Sequence, residues 1–507
     1  MSNHLYDAFA ASVPDRAKPL IEPIDGPCVS YGDMFDLVER LASHLVRSGV
    51  VPGDRVAVQV DKSWQNLALY IACVRAGAVF LPLNTAYPLV ELEYFLGDAQ
   101  PSFVVCRPGV ETEVRALCGR LSTAKVESLG TEGDGTLLLV AASAPLLPVV
   151  ARGPDDLAAI LYTSGTTGRS KGAMLSHGNL LSNARVLKDY WHFTADDVLL
   201  HALPIFHTHG LFVACNVALL AGASMIFLAK FDADEVMRLL PKATSMMAVP
   251  TFYVRLLEHP GLTRHATQHM RLFTSGSAPL LAETHRAFSE RTGHAILERY
   301  GMTETNMNTS NPYDGDRVAG TVGFPLPGVE VRVVEPESGK ALAQGEVGVL
   351  EVRGPNVFSG YWRLPEKTQA EFRPDGFFIT GDVAKIDERG YVHIVGRVKD
   401  LVITGGYNVY PKEVESEIDA IPGVIESAVI GLPHPDFGEG VTAVVVPARG
   451  AKLTEDAVIA ALGDRLAKFK QPKRVFFVEE LPRNNMGKVQ KNLLRDTYAK
   501  TYSRGAA

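Results

Sequence analysis

The sequence predicts an α/β fold: a large N-terminal domain of α/β subdomains with a small β-rich subdomain, followed by a small α+β C-terminal domain. Three observations predict it. Apolar β-branched runs alternate with helical patterns over most of the chain, the signature of largely parallel sheets. Beyond about residue 320 the texture changes to short strands with turn signals. After Arg397-Val398-Lys399-Asp400 a βα pattern restarts. A chain of 507 residues has room for three to four such units at roughly 150 residues each.

Taken in order, residues 55–60 read as a strand feeding a helix over 64–76, and 103–106 as a strand before a polar helix. Residues 130–135 form a loop, and the Pro-interrupted tract 137–148 reads as surface connection. A strand over 158–162 follows. Residues 211–229 carry no charge, close to the length of a membrane span. Asn216, Gly222 and Ser224 interrupt them, so the stretch reads as a buried helix, a turn and a strand over 225–228. A helix is expected over 279–291. Strands over 329–334 and 347–352, with turns at Asp375-Gly376 and Arg389-Gly390, make a β-rich subdomain of about 320–399. The domain boundary falls near Lys399-Asp400, giving domains of 1–399 and 400–507. In the second, 411–420 and 454–469 read as helices and 425–430 and 441–446 as strands.

The composition is that of an ordinary globular protein, with a net charge of −7. A nucleic-acid binder shows a basic excess or stripe, and none is present. Five scattered cysteines without C-x-x-C spacing fit buried thiols in a reducing compartment. With neither a basic nor an apolar leader region at the start, the chain reads as cytoplasmic, without membrane or nucleic-acid partners.

Residues 161–172, Leu-Tyr-Thr-Ser-Gly-Thr-Thr-Gly-Arg-Ser-Lys-Gly, form the strongest local signal. A strand runs into a loop of small residues ending at Lys171. Such a loop lets backbone amides approach phosphate oxygens, and the lysine adds mobile positive charge. It is not a Walker A loop, because two residues separate Gly165 from Gly168 where that pattern needs four. Read alone, it is also compatible with a flexible surface loop.

Four further segments accompany it: Tyr300-Gly301-Met302-Thr303-Glu304-Thr305; Thr380-Gly381-Asp382; Gly396-Arg397-Val398-Lys399-Asp400 with Gly405-Gly406-Tyr407; and Pro482-Arg483-Asn484-Asn485-Met486-Gly487-Lys488. Their order and spacing resemble the adenylate-forming superfamily of acyl-CoA synthetases, luciferases and peptide-synthetase adenylation domains, over essentially the whole chain. The resemblance implies the adenylate-forming enzyme fold with a mobile C-terminal domain hinged at Asp400. It also implies an ATP-dependent acid–thiol ligase that first makes an acyl-adenylate and then a thioester, with ATP, Mg²⁺ and coenzyme A as cofactor and co-substrates.

The roles implied are as follows. Thr163, Ser164, Gly165, Thr166, Thr167, Gly168 and Lys171 cradle the phosphates. Ser277, Ala278 and Pro279 with Glu298, Arg299, Tyr300, Gly301 and Met302 wall the adenine. Thr303 and Glu304 serve catalysis, Glu304 as the metal ligand. Asp382 accepts the ribose hydroxyls and Arg397 contacts the ribose–phosphate region. Lys488 bridges carboxylate and α-phosphate during adenylation. Gly405, Gly406 and Tyr407 line the thiol tunnel on a second face. Without the resemblance, Asp382 reads as a turn residue, Glu304 as a solvated acid and Lys488 as a surface lysine.

Residues 204–210, Pro-Ile-Phe-His-Thr-His-Gly, resemble the aromatic-gate and acyl-pocket segment. With residues 275–280 and 302–308, they are similar to bacterial malonyl-CoA synthetases. That branch implies malonate as the acid, with methylmalonate a further candidate. The distal carboxylate then needs a cation, best served by the fork of arginine. The candidates by resemblance are Arg286 with Ser277 and His207. The helical wheel does not support Arg286 by itself, since Leu280, Leu281, Thr284, Ala287 and Phe288 define the apolar face and Arg286 lies opposite.

The alternatives are a short-chain, fatty or aryl monocarboxylate–CoA ligase and, outside the class, a luciferase-like oxygenase. A peptide-synthetase module is disfavoured because no carrier domain follows. Lys488 lies in a Pro-x-x-x-x-Gly-Lys context resembling acetylation sites of related synthetases, making a lysine acetyltransferase and deacetylase candidate partners. Monomer and dimer stay open.

Overall fold

The computed structural model describes residues 2–23, 26–121, 125–163, 170–405, 407–463, 465–484 and 487–502. Among them lie a nine-stranded, a seven-stranded, a four-stranded and a five-stranded sheet. The seven-stranded sheet runs Gly360–Tyr361, Lys171–Ser176, Leu157–Thr163, Val79–Pro82, Arg55–Gln59, Phe103–Cys106, Lys125–Ser128. Its last five strands are parallel. The nine-stranded sheet has a parallel centre of Leu297–Met302, Leu272–Ser275, Ser245–Ala248, Val198–His201, Ser224–Phe227 and Pro19–Pro23, edged by antiparallel strands. Parallel strands covered on both faces are apolar throughout, and Phe103–Cys106 is buried at every position.

The helix Trp64–Arg75 is buried from Gln65 to Arg75, as expected of a helix with packed neighbours on all sides. Side-chain caps fix other helix starts. Ser30 accepts from the Asp33 amide while Asp33 accepts from the Ser30 amide, and Ser176 and Asn179 repeat the arrangement. Each such box satisfies two amides that a helix start leaves unpaired.

The four-stranded sheet, Glu330–Val334, Gly348–Arg353, Phe378–Ile386 and Val392–Arg397, is antiparallel throughout and forms the β-rich unit. Beyond the short 3-10 turn Val398–Asp400 the chain builds its last sheet, centred on Val424–His434 paired with Gly438–Pro447.

Residues 211–229 follow the expected course with one addition. A π-helix, His209–Cys215, runs into the helix Asn216–Ala221. Gly222 then turns at φ +68° into Ser224–Phe227. Among the described residues, no helix is long and apolar enough to cross a membrane.

Three expectations need correction. The tract 137–148 is not all connection: Thr136–Ala141 is a helix that buries Leu137 and Ala141, anchored where the Ser128 amide donates to Thr136 Oγ1 at 2.9 Å. The helix expected over 454–469 ends at Ala461, because Gly463 carries the highest helix cost of any residue but proline. The helix expected from 279 starts at Ala282, because Leu281 before it is extended, at φ −66° and ψ 136°.

Candidate active site

The C-terminal ends of the parallel strands converge on one cleft, the place where open α/β sheets bind ligands. Leu157–Thr163 delivers the loop to Lys171, Val198–His201 delivers 204–209, Leu272–Ser275 delivers 276–280, and Leu297–Met302 delivers Thr303 and Glu304. Ser164, Gly165, Thr166, Thr167 and Gly168, expected to cradle phosphates, and Gly406, expected in the thiol tunnel, lie outside the described residues.

At one end of the cleft Asp382 is 2% exposed and holds two partners. Tyr300 Oη donates to its Oδ2 at 2.5 Å, and Arg397 Nε lies 2.7 Å from Oδ1. Asp382 raises the pKa of Arg397. Burial pushes the Glu304 carboxyl above its usual range, opposed by hydrogen bonding, including that from Tyr361 Oη at 3.0 Å, and by the charges of Arg397 and Lys171. Lys171 Nζ sits 4.3 Å over the Tyr361 ring and 3.5 Å from Glu371 Oε1. Tyr361 Oη also lies 2.8 Å from Glu371 Oε2. Tyr361 and Glu371 belong to no motif and were missed in the sequence.

Lys488 opens onto the same cleft. Crowding around its ammonium and the charge of Arg397 pull its pKa down, while Asp382 and Glu304 pull it up. Next to Lys488, Gly487 faces Thr251 of the large domain, 3.6 Å from where a Cβ would stand. The C-terminal loop therefore lies against the large domain, with Lys488 at the solvent-accessible mouth of the cleft.

Deeper in, Arg299 is 2% exposed. Gly276 covers its guanidinium so closely that a Cβ there would meet Nη1 at 2.1 Å. Burial pulls the pKa of Arg299 down to about 9, with Tyr253 and Glu298 opposing, so it is cationic at neutral pH. Its Nε and Nη2 have no hydrogen-bond partner among the described residues. Glu298 does not compensate it, because burial pushes that carboxyl up to about 8 and keeps it protonated.

Histidines surround this cation. Burial, then Lys488 and Arg299, push His207 down to about 3. Burial and Arg299 push His209 well below its usual value. His209 Nδ1 lies 3.1 Å from Ser277 Oγ, and Ser277 is held at φ +69°, a conformation uncommon for non-glycine residues. Among the described residues the site thus gathers a buried guanidinium, two neutral imidazoles and a hydroxyl, with no ionised acid in contact.

Arg286 is not part of this group. It stands exposed on the helix Ala282–Thr292, opposite buried His285 and Phe288, and no hydrogen bond or ion pair holds it among the described residues. Arg299, assigned above to the adenine wall, holds the position beside Ser277 that Arg286 was expected to hold. Pro279 is exposed and Ala278 partly buried; Thr163 Oγ1 donates to the Lys171 carbonyl at 3.4 Å. Gly301 faces the Asn306 carbonyl, where a Cβ would meet the oxygen at 1.9 Å, and Met302 and Thr303 are partly buried beside it.

Away from the cleft, Tyr407 is 60% exposed and stacks on Phe469 with centroids 4.8 Å apart. Gly405 turns at φ +58° and donates its amide to the Phe437 carbonyl at 2.8 Å. Asp400 accepts from Arg495 Nη2 at 2.8 Å; against burial, that bond and Lys491 hold its pKa below the usual range.

The model of the AMP-binding enzyme family matches residues 8–362, and that of the AMP-binding enzyme C-terminal domain matches 413–488. The chain belongs to the AMP-binding enzyme family. A feruloyl-CoA synthase of an Amycolatopsis species is 38% identical over 93% of this chain and 94% of its own. A mitochondrial malonate–CoA ligase of Mus musculus is 36% identical over 92% and 87%. The ATP-bound crystal structure of MatB from Rhodopseudomonas palustris is 62% identical over 99% of this chain and 100% of its own, with a TM-score of 0.97. The apo structure of the same MatB scores 0.87 at the same identity. Sequence cannot cause that difference, so this AMP-binding enzyme has a conformation nearer the ATP-bound one.

The site also fits a nucleotide-borne Mg²⁺. Among the described residues no group of three or more His, Cys, Asp or Glu could cage a metal. Mg²⁺ asks for less than a cage: one or two carboxylates, substrate phosphates and water. Glu304, buried and acceptor-rich, answers to that demand.

Proposed function

We propose that this enzyme is an ATP-dependent malonate–CoA ligase, converting malonate, ATP and CoA to malonyl-CoA, AMP and pyrophosphate through a malonyl-adenylate, with methylmalonate as a second acid. The observation that carries the substrate is Arg299. A buried guanidinium without an anion is costly, several kcal/mol by the order of such penalties. A ligand carboxylate supplies the missing charge and bidentate acceptor. The similarity to MatB and to the malonate–CoA ligase supports the same reading.

In this reading the distal carboxylate of malonate pairs with Arg299, in place of Arg286, with Ser277 and His209 completing the pocket. His207, neutral and beside Lys488, donates toward the reacting carboxylate without adding charge. Lys488 draws that carboxylate and the α-phosphate together, offsetting repulsion between two anions. Asp382 exchanges the Tyr300 hydroxyl for ribose hydroxyls. Lys171 leaves Glu371 for the phosphates, and Mg²⁺ bound with Glu304 neutralises phosphate charge. After pyrophosphate leaves, rotation about Asp400 withdraws Lys488 and presents Gly405, Gly406 and Tyr407 to the thiol.

Acetylation of Lys488 removes its charge and blocks the first half-reaction only. This part of the proposal rests on its accessible position in the cleft.

The similarity to feruloyl-CoA synthase raises an aryl acid as a second reading. An aryl tail leaves Arg299 unpaired, which disfavours it. Pyrophosphate release with malonate, methylmalonate, acetate and ferulate separates the two. Preference for malonate over acetate by a hundredfold, about 2.7 kcal/mol, is expected; preference for ferulate or acetate overturns the substrate assignment.

A further inference from the structure

Behind the acid pocket lies a buried lysine–histidine pair that no motif contains. Lys62 follows the strand Arg55–Gln59 of the seven-stranded sheet, and His201 ends the strand Val198–His201 of the nine-stranded sheet. Lys62 Nζ donates to His201 Nδ1 at 2.8 Å and to the His201 carbonyl at 2.9 Å. It also rests 4.2 Å over the Phe227 ring. Burial pushes its pKa down to about 7, and no ion pair holds it among the described residues.

The hydrogen bonds define a direction. A lysine amine bonded to a ring nitrogen through its own proton makes Nδ1 an acceptor, so the neutral His201 ring carries its proton on Nε2. That proton is donated to the Gly210 carbonyl at 2.8 Å. Cys215 Sγ, 3.4 Å from the same nitrogen, closes the other end of the π-helix around it. Gly210 packs so tightly on the Pro204 carbonyl that a Cβ there would stand 2.1 Å from its oxygen, so no side chain is accommodated. His209, the residue before it, faces Ser277 in the pocket. π-turns are found frequently at functional sites, and here the Gly210 carbonyl near its start is held from outside by His201.

We propose that Lys62 is a positioning residue for the acid pocket: acting through His201 on the Gly210 carbonyl, it sets the π-helix that aims His209 at Ser277. It does not touch substrate. Its loss therefore weakens acid binding selectively and leaves the nucleotide end of the cleft unchanged.

The test uses the full-length enzyme and steady-state kinetics for each substrate, with thermal unfolding alongside. K62M is expected to raise KM for malonate about tenfold while KM for ATP stays within twofold. H201F is expected to do the same, and K62M/H201F to be no worse than H201F, since the two act in series. K62Q and H201Q, which keep an amide to donate, are expected to recover most of the wild-type KM. Effects that multiply in the double variant, or a rise in KM for ATP equal to that for malonate, would overturn the proposal. So would wild-type kinetics in K62M. If K62M does not fold, H201Q against H201F makes the same comparison. The inference rests on the acid occupying this pocket. A wild-type enzyme that ignores malonate but turns over another acid refutes the substrate reading alone, and the variants are then compared on that acid.

Discussion

Gly276 lies directly over the guanidinium of Arg299, leaving no room for even one methyl group: the nearest nitrogen would stand 2.1 Å from a Cβ at 276. Both residues are buried, so neither can yield by moving into water. G276A should therefore push Arg299 out of its place beside Ser277. Its expected effect is a rise in KM for malonate of tenfold or more, with KM for ATP nearly unchanged. A G276A enzyme with wild-type malonate kinetics would show that the contact has no bearing on the acid.

Lys488 should separate the half-reactions. K488Q is expected to lose malonate-dependent ATP–pyrophosphate exchange by a hundredfold or more. The same variant should still form malonyl-CoA from supplied malonyl-adenylate and CoA at near the wild-type rate. Equal loss of both steps would mean that Lys488 stays in place throughout the cycle.

A stability prediction comes from Asp197, 3% exposed. Its carboxylate takes Arg271 Nε at 2.6 Å and Nη2 at 2.7 Å. Against burial, that fork and Thr244 hold its pKa below the usual range. A depressed carboxylate adds stability that is present above the unfolded value near 3.9 and is lost as pH falls through the folded one. D197N leaves Arg271 half-paired and should cost about 3 kcal/mol at neutral pH, read by chemical denaturation. It should also flatten the acid limb of the pH–stability curve below about pH 4.

Glu298 predicts the opposite slope. With its folded pKa pushed up to about 8 by burial, the native state keeps a proton that the unfolded chain releases near 4.3. Stability contributed by this group therefore falls as pH rises between those values. E298Q preserves the acceptor for the Leu280 amide and removes the titration. Denaturation at pH 5, 6, 7 and 8 should show a decline in the wild type that E298Q reduces. Parallel curves would place the Glu298 proton elsewhere.

The architecture was legible because hydrophobic periodicity and turn residues carry it locally, as the charge-free stretch 211–229 shows: Asn216, Gly222 and Ser224 interrupt it, and Gly222 makes the turn into Ser224–Phe227. Local signals mislead where a tertiary partner decides. Nothing near Thr136 announces that Ser128 anchors a short helix there. The cleft motifs were legible for their order, but not their company. Tyr361 and Glu371 reach Glu304 and Lys171 only through the fold. Arg286 was implied by the resemblance to malonyl-CoA synthetases alone, and the helical wheel already turned it outward. Arg299 is buried by the strand Leu297–Met302, which pairs parallel with Leu272–Ser275 and antiparallel with Asn306–Ser310, a setting that local sequence does not show. Lys62 and His201, 139 residues apart, carry no local signal either.

The most direct test of the account compares malonate with acetate in R299M, with R286A as control, by pyrophosphate release. R299M is expected to lose a malonate preference of about a hundredfold, worth roughly 2.7 kcal/mol, while acetate turnover survives and R286A stays within twofold of wild type. Retention of the malonate preference in R299M, or its loss in R286A, would contradict the account and move the distal carboxylate away from Arg299.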